Sequence, residues 1–133
     1  MNSFLVFVSL LAIWPMSGAK KYPMTADASI PAATGTVEVK KDKKNGNIQL
    51  DIKVDHLAKP ASLTPPEDVY IVWIRPSDKD AQKEGAIGLD KNLKGELRVV
   101  TTSKNFDVFI TAEQSESVNE PSTLQLLRAH VSP

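Results

Sequence analysis

Val69-Tyr70-Ile71-Val72-Trp73-Ile74 is an uninterrupted apolar run, with Asp68 before it and Arg75-Pro76 after it. A strand with one face in water alternates apolar and polar residues, whereas this run is apolar on both faces. It is too short for a membrane helix and too rich in β-branched residues for a short helix. We therefore predict a central strand that is covered on both sides. Tyr70 and Trp73 face opposite sides of such a strand. We expect Trp73 to pack between two sheets and Tyr70 to lie under a Pro-rich connection.

Two alternating segments before this run predict a β-hairpin. Residues 34–41 and 47–55 both alternate apolar with polar side chains, and Asn45-Gly46 lies between them. Asn-Gly is a strong hairpin signal because both residues tolerate a positive φ. We expect the hairpin to turn one face to the core and the other to water.

The remaining pattern predicts an all-β domain. Residues 56–67 form the Pro-rich connection, and residues 76–85 form a polar loop. Further strands are expected at 86–90, 96–102, 106–113 and 123–131, with Phe109 on the face opposite to its core-facing neighbours. About seven short strands without an amphipathic helix favour an antiparallel, immunoglobulin-like β-sandwich. A small β-barrel is the alternative.

The first residues have the pattern of a secretory signal peptide. A short apolar segment, residues 4–14, is followed by Pro15 and by Ser17-Gly18-Ala19. This arrangement predicts a signal peptide at residues 1–19, cleavage after Ala19, and an exported periplasmic or extracellular protein with no stable membrane span. The segment carries no lysine or arginine, so an uncleaved anchor is the alternative.

The exported part is expected to be one domain. Residues 20–33 read as an extended N-terminal arm with an edge strand near Ala28-Ser29-Ile30, and residues 34–133 read as a single β-sandwich domain. The chain contains no cysteine, which excludes a lipid-bearing cysteine and a disulfide-stapled mini-domain. Sixteen basic and sixteen acidic residues cancel, and this balance argues against nucleic-acid binding.

No constellation typical of catalysis or metal binding stands out. The only histidines are His56 and His130, and no Gly-x-Ser-x-Gly motif is present. Asp78-Lys79-Asp80 has the acid spacing of some calcium loops, but without the Gly and Glu that continue such a loop. We expect a non-catalytic protein with no cofactor-binding, metal-binding or catalytic residues.

Two charged clusters allow a second interpretation. Lys40, Lys41, Lys43 and Lys44 surround the predicted hairpin turn, where they would either contact anionic lipid or polysaccharide or protect the edge from pairing. Glu113, Glu116 and Glu120 form an acidic counterpart in the last loop. Thr111 and Glu113 are expected to serve strand structure rather than a site.

Five segments follow one another along the second half of the chain: the central run, Gly85-Ala86-Ile87, residues 106–113, Pro121 and Leu126-Leu127-Arg128-Ala129. Their order resembles the extracytoplasmic domain of bacterial anti-sigma-K factors. In that family a Tyr-x-x-Trp strand, a Val-Thr-x-Glu strand and a Pro-rich turn before the last strand recur. The resemblance covers about half of the chain and implies a periplasmic β domain. It does not carry over sigma-factor inhibition, because this sequence lacks the family's cytoplasmic helical segment and the membrane span that follows it.

Two functions are compatible with these patterns. The first is a non-catalytic envelope module that binds another envelope protein through sheet edges or loops, related to the sensor domains of anti-sigma factors. The second is a carrier or sensor of a small ligand in the periplasm.

Overall fold

The computed structural model describes residues 19–133, and this part of the chain forms nine strands and one 3-10 turn at Pro60–Ser62. The strands are β1 Ala19–Pro23, β2 Thr25–Ala26, β3 Thr34–Lys41, β4 Ile48–Asp55, β5 Val69–Pro76, β6 Gln82–Ile87, β7 Gly95–Thr101, β8 Phe106–Glu113 and β9 Leu127–Val131. None of the helical structure in residues 19–133 is long and apolar enough to cross a membrane. The predicted signal peptide lies outside the described residues, apart from Ala19.

The strands form two antiparallel sheets that pack as a sandwich. The four-stranded sheet has the order β1-β3-β4-β7, and the five-stranded sheet has the order β2-β9-β8-β5-β6. With β1 and β2 set aside, these orders correspond to strands A-B-E and G-F-C-C′ of immunoglobulin-like sandwiches. The predicted all-β sandwich is confirmed, and the sheets do not close into the alternative barrel.

The main core lies between the two sheets. The four-stranded sheet contributes the alternate apolar residues of the predicted hairpin, and the five-stranded sheet contributes Tyr70, Val72 and Ile74 of β5 with Phe106, Val108 and Ile110 of β8. The hairpin itself is confirmed: β3 and β4 pair in register from Thr34 with Asp55 to Lys41 with Ile48. Gly46 has φ = 75° in the turn, a conformation that favours glycine.

A second, smaller core lies on the outer face of the five-stranded sheet. Ile71, Trp73 and Phe109 are fully buried there, and Val69, Ala81 and Val118 pack against them. The expectation that Trp73 packs between the sheets is therefore wrong. Side chains alternate between the two faces of β5, so Tyr70 points into the main core and Trp73 points to the outer face. The opposite orientation of Tyr70 and Trp73 is confirmed, as is the outward orientation of Phe109.

Several strand positions differ from the sequence expectation. The segment expected as an extended arm forms β1, paired with β3, and β2, paired with β9, while residues 28–30 form a turn instead of an edge strand. β6 lies at 82–87 rather than 86–90, with a register shift opposite Val72 and Trp73. β9 begins at Leu127 rather than at residue 123. These strands are short or lie at sheet edges, where polar residues are tolerated and alternation is weak.

Candidate functional site

A chain of hydrogen bonds joins four side chains on the outer face of the five-stranded sheet. The Trp73 indole Nε1 donates to Thr111 Oγ1 at 2.8 Å, and the Thr111 hydroxyl donates to Glu113 Oε2 at 2.6 Å. Ser122 donates twice to the same carboxylate, from its backbone N–H to Oε2 at 2.8 Å and from its hydroxyl to Oε1 at 2.7 Å. Thr111 and Glu113 are the buried polar residues of the described chain. Trp73 is buried as well, and Ser122 is an exposed residue at the end of the chain of hydrogen bonds; we call these four residues the buried polar network.

The sheet register explains why these residues meet. Residues 109, 111 and 113 of β8 share one face because side chains alternate along a strand. β5 pairs with β8 so that Trp73 lies opposite Phe109 and Ile71 lies opposite Thr111. The Trp73 ring therefore reaches one diagonal step along the face to Thr111. Both carboxylate oxygens of Glu113 accept hydrogen bonds, so burial leaves neither of them without a partner.

The buried polar network fixes the loop that covers this face, residues 114–126. Ser122 attaches the second half of the loop to Glu113 at the end of β8. Lys83 on β6 donates to the backbone oxygens of Glu116 at 2.6 Å and Val118 at 2.9 Å. Val118 then packs against the smaller core. We call residues 114–126 the covering loop.

An apolar groove opens where the covering loop returns to the sheet. It encloses about 440 Å³ between the turn before β3, the Pro-rich connection and the covering loop. Its apolar lining includes Ile30, Leu63, Ala112, Leu124 and Leu126, and Glu67 and several hydroxyl side chains also line it. The Leu124 side chain is 50% exposed, although most leucines of the described chain are buried or half-buried.

Tyr70 supports the Pro-rich connection from below. Its ring is 1% exposed, and its hydroxyl donates to the Ala58 carbonyl in that connection. Burial raises the pKa of Tyr70 to about 12. The expectation that Tyr70 lies under the connection is confirmed, and its ring also belongs to the main core.

A larger cleft of about 730 Å³ lies at the same end of the sandwich, beside the starts of β3 and β7. Asp55 and Lys94 face each other there at 3.9 Å, with both side chains substantially exposed. The Asp90 carboxylate in the cleft accepts from the backbone N–H groups of Asn92 and Lys94, so it stabilises its own turn. These contacts organise a loop and do not converge on a common point.

Asp51 lies at the centre of the outer face of the four-stranded sheet. Its Oδ2 is 3.7 Å from Arg98 Nε and 3.9 Å from Lys53 Nζ, while its buried Oδ1 has no hydrogen-bond partner. Desolvation makes the largest contribution to raising the pKa of Asp51, and the neighbouring Glu96 raises it further. The same contact with Asp51 contributes most to lowering the pKa of Glu96. Two carboxyl groups whose pKa values are shifted in opposite directions therefore lie side by side on this face.

The two histidines lie at opposite ends of the sandwich. His130 Nδ1 is 2.7 Å from Asp107 Oδ1 on the neighbouring strand, and both side chains are about half exposed. His56 follows β4 in a left-handed conformation and is 3.5 Å from its own neighbour Asp55. The structure therefore does not bring them together. A non-catalytic role remains a prediction.

The other sequence candidates fall on turns and loops. Asp78 has φ = 61° in the turn after β5, and no group of acids and histidines in residues 19–133 could hold a metal ion. Glu116 and Glu120 are exposed on the covering loop, but Glu113 is buried in the buried polar network and differs from them. Thr111 and Glu113 are hydrogen-bonded within the protein, and the expectation that they serve strand structure rather than a site stays a prediction. Sequence reasoning missed their link to Trp73 and Ser122, which requires the register of β5 on β8.

Comparison with known proteins adds no assignment. No protein-family model matches the chain, and no curated protein matches it in sequence. The arguments for function therefore come from the geometry of the groove, the covering loop and the charged surfaces. The resemblance to anti-sigma-K factors stays a prediction. Its Trp, Thr and Glu positions here are Trp73, Thr111 and Glu113, which all belong to the buried polar network.

Proposed function

We propose that this chain is a non-catalytic module of the bacterial cell envelope, exported to the periplasm or cell surface, that binds a partner protein through the apolar groove. One observation carries the proposal: the covering loop is fastened by a buried network, and it holds the half-exposed Leu124 beside an apolar groove. Binding residues commonly lie on loops that a rigid scaffold positions. A half-exposed leucine next to an apolar cavity offers an anchor point for a partner side chain.

The polar chemistry of the molecule is consistent with this function. Thr111 and Glu113, which are the buried polar residues of the described chain, already have partners within the protein. Their role is to shape the surface rather than to act on a substrate. The predicted signal peptide and the resemblance to an extracytoplasmic domain support the location in the envelope.

The test is capture of a partner from envelope extract with purified protein. The wild type is compared with Leu124→Gln, which makes the rim of the groove polar. The matched control is Val100→Gln, because Val100 is 56% exposed on β7 of the other sheet. We expect the wild type and Val100→Gln to retain the same specific protein and Leu124→Gln to lose most of it. Equal capture by both variants would contradict the proposal.

A second candidate is a carrier or sensor of a small ligand, which the size of the groove favours. Small-molecule sites typically enclose roughly 300–1,000 Å³ and are largely apolar, and the groove has about 440 Å³. A rise in melting temperature with small apolar compounds, lost in Leu124→Gln and without any protein partner, would favour this candidate. Hydrolase turnover that disappears on replacing His56 or His130 would contradict both.

A further inference from the structure

Six exposed lysines of this neutral protein gather at one end of the sandwich. The β3–β4 pairing ends with Lys41 opposite Ile48, and the β4–β7 pairing ends with Ile48 opposite Thr101. The hairpin turn and the β7–β8 turn therefore project from the same end, and the β1–β3 register adds the start of β1. We call this surface the basic end; its exposed lysines are Lys20, Lys40, Lys41, Lys43, Lys44 and Lys104.

The positive charge of the basic end is largely uncompensated. The ion pairs found in residues 19–133 involve Lys53, Lys94 and Arg98 or a histidine, and none uses a lysine of the basic end. The nearest acid in the hairpin turn, Asp42, accepts from the backbone N–H of Lys44 and so serves the turn. Asp78 and Asp80 flank Lys79 in the adjacent turn, which leaves lysine in excess.

The opposite end of the sandwich has the opposite character. The turn before β3, the Pro-rich connection, the β6–β7 turn and the covering loop meet there. Their acids outnumber their lysines Lys59, Lys91 and Lys94; the acids are Asp27, Glu67, Asp68, Asp90, Glu116 and Glu120. The apolar groove lies at this end as well. The net charge of zero therefore conceals a separation of charge along the strands.

The first described residue lies at the basic end. Ala19 pairs with Lys40, so β1 begins at the lysine-rich surface. Exposed lysines that cluster on one surface are attracted by anionic lipid headgroups.

We propose that the basic end docks on the anionic lipid surface of a membrane and directs the apolar groove away from it. The attraction needs no pocket, because flexible exposed lysines interact with a charged surface as a whole. Each lysine near an anionic bilayer strengthens binding about fivefold, which corresponds to about 1 kcal/mol. The attraction decays within about 8 Å at physiological ionic strength, so lysines at the far end of the sandwich contribute little.

The test is co-sedimentation of the full chain, as the expression host exports it, with vesicles of phosphatidylcholine that contain or lack phosphatidylglycerol. The N-terminus is fixed by mass spectrometry, and the same form is used throughout. Lys43→Gln with Lys44→Gln removes two charges from the basic end. Lys59→Gln with Lys91→Gln is the matched control, because these exposed lysines lie at the opposite end.

We expect binding to depend on phosphatidylglycerol and to weaken with salt. The Lys43/Lys44 variant should lose about 25-fold in partitioning, and the control pair should stay within about twofold of the wild type. Equal binding to both kinds of vesicle, or equal losses in the two variants, would overturn the proposal. So would binding to a soluble polyanion such as heparin without binding to the anionic vesicles. None of these results bears on partner capture at the groove, so the two proposals fail independently.

Discussion

Removing the Trp73 side chain tests the smaller core and the buried polar network together. Trp73 is fully buried against Ile71 and Phe109, and its Nε1 donates to Thr111. Trp73→Ala should therefore lower the free energy of unfolding by about 3–5 kcal/mol. At about 4 °C per kcal/mol for a domain of this size, the melting temperature should fall by roughly 12–20 °C.

A double-mutant cycle isolates the hydrogen bond from the packing. Trp73→Phe keeps an aromatic ring but removes the indole N–H, and Thr111→Val removes the acceptor and also the donor to Glu113. We expect a coupling free energy of about 1 kcal/mol between the two positions. The assay is urea unfolding followed by circular dichroism. Strict additivity, or an unchanged melting temperature in Trp73→Ala, would refute the described arrangement of this face.

Three further predictions follow from burial and close contacts. Burial raises the pKa of Tyr70 to about 12 from 10.0 in the unfolded chain. The stability from protonated Tyr70 is therefore present below pH 10 and is lost as the pH rises to about 12; Tyr70→Phe should flatten this alkaline loss, which amounts to about 3 kcal/mol. Gly95→Ala should cost about 1–3 kcal/mol, because a Cβ would lie 2.6 Å from the Gly88 carbonyl oxygen. Gly88→Ala, where a Cβ meets nothing within 4 Å, should be near neutral in the same thermal melts. Asp51→Asn should stabilise the fold at pH 7 by up to about 1 kcal/mol, because the raised pKa of Asp51 means that its ionised form is disfavoured in the folded state. A drop in its melting temperature at pH 7 would contradict that sign.

The sequence predicts the strands whose side chains alternate clearly. β3 and β8 have the expected bounds, and β4 differs by one residue. Two-sided apolarity correctly indicates that both faces of β5 are covered. The pattern does not show which face of β5 packs against the second sheet and which face lies under a loop, because both coverings are apolar. For this reason the sequence prediction places Trp73 on the wrong face of β5.

The edge strands and the buried polar network depend on contacts between residues that are far apart in the sequence. β1 contains Lys20, Lys21 and Pro23, which have little strand preference by themselves, and it is held by its register with β3. The link between Glu113 and Ser122 joins the end of β8 to the second half of the covering loop. The sequence predicts that Thr111 and Glu113 serve strand structure, but their hydrogen-bond partners become visible only when β5 and β8 are aligned.

The apolar groove also depends on residues that are far apart in the sequence. Ile30, Leu63 and Leu124 come from three separate loops, and no local pattern relates them. Leu124 was expected in the last strand, but this strand begins at Leu127. The covering loop therefore extends further than its polar composition indicates, and it takes an exposed leucine to the rim of the groove.

The central claim is that Glu113 fastens the covering loop by accepting from Ser122. Amide hydrogen exchange at Ser122, followed by NMR in the wild type, Glu113→Ala and Glu120→Ala, tests this claim most directly. Glu120 is an exposed acid of the same loop and serves as the control. We predict a protected Ser122 amide in the wild type and in Glu120→Ala, and rapid exchange in Glu113→Ala while the amide of Ile110 in β8 stays protected. Rapid exchange of Ser122 in the wild type, or protection that persists in Glu113→Ala, would contradict the claim.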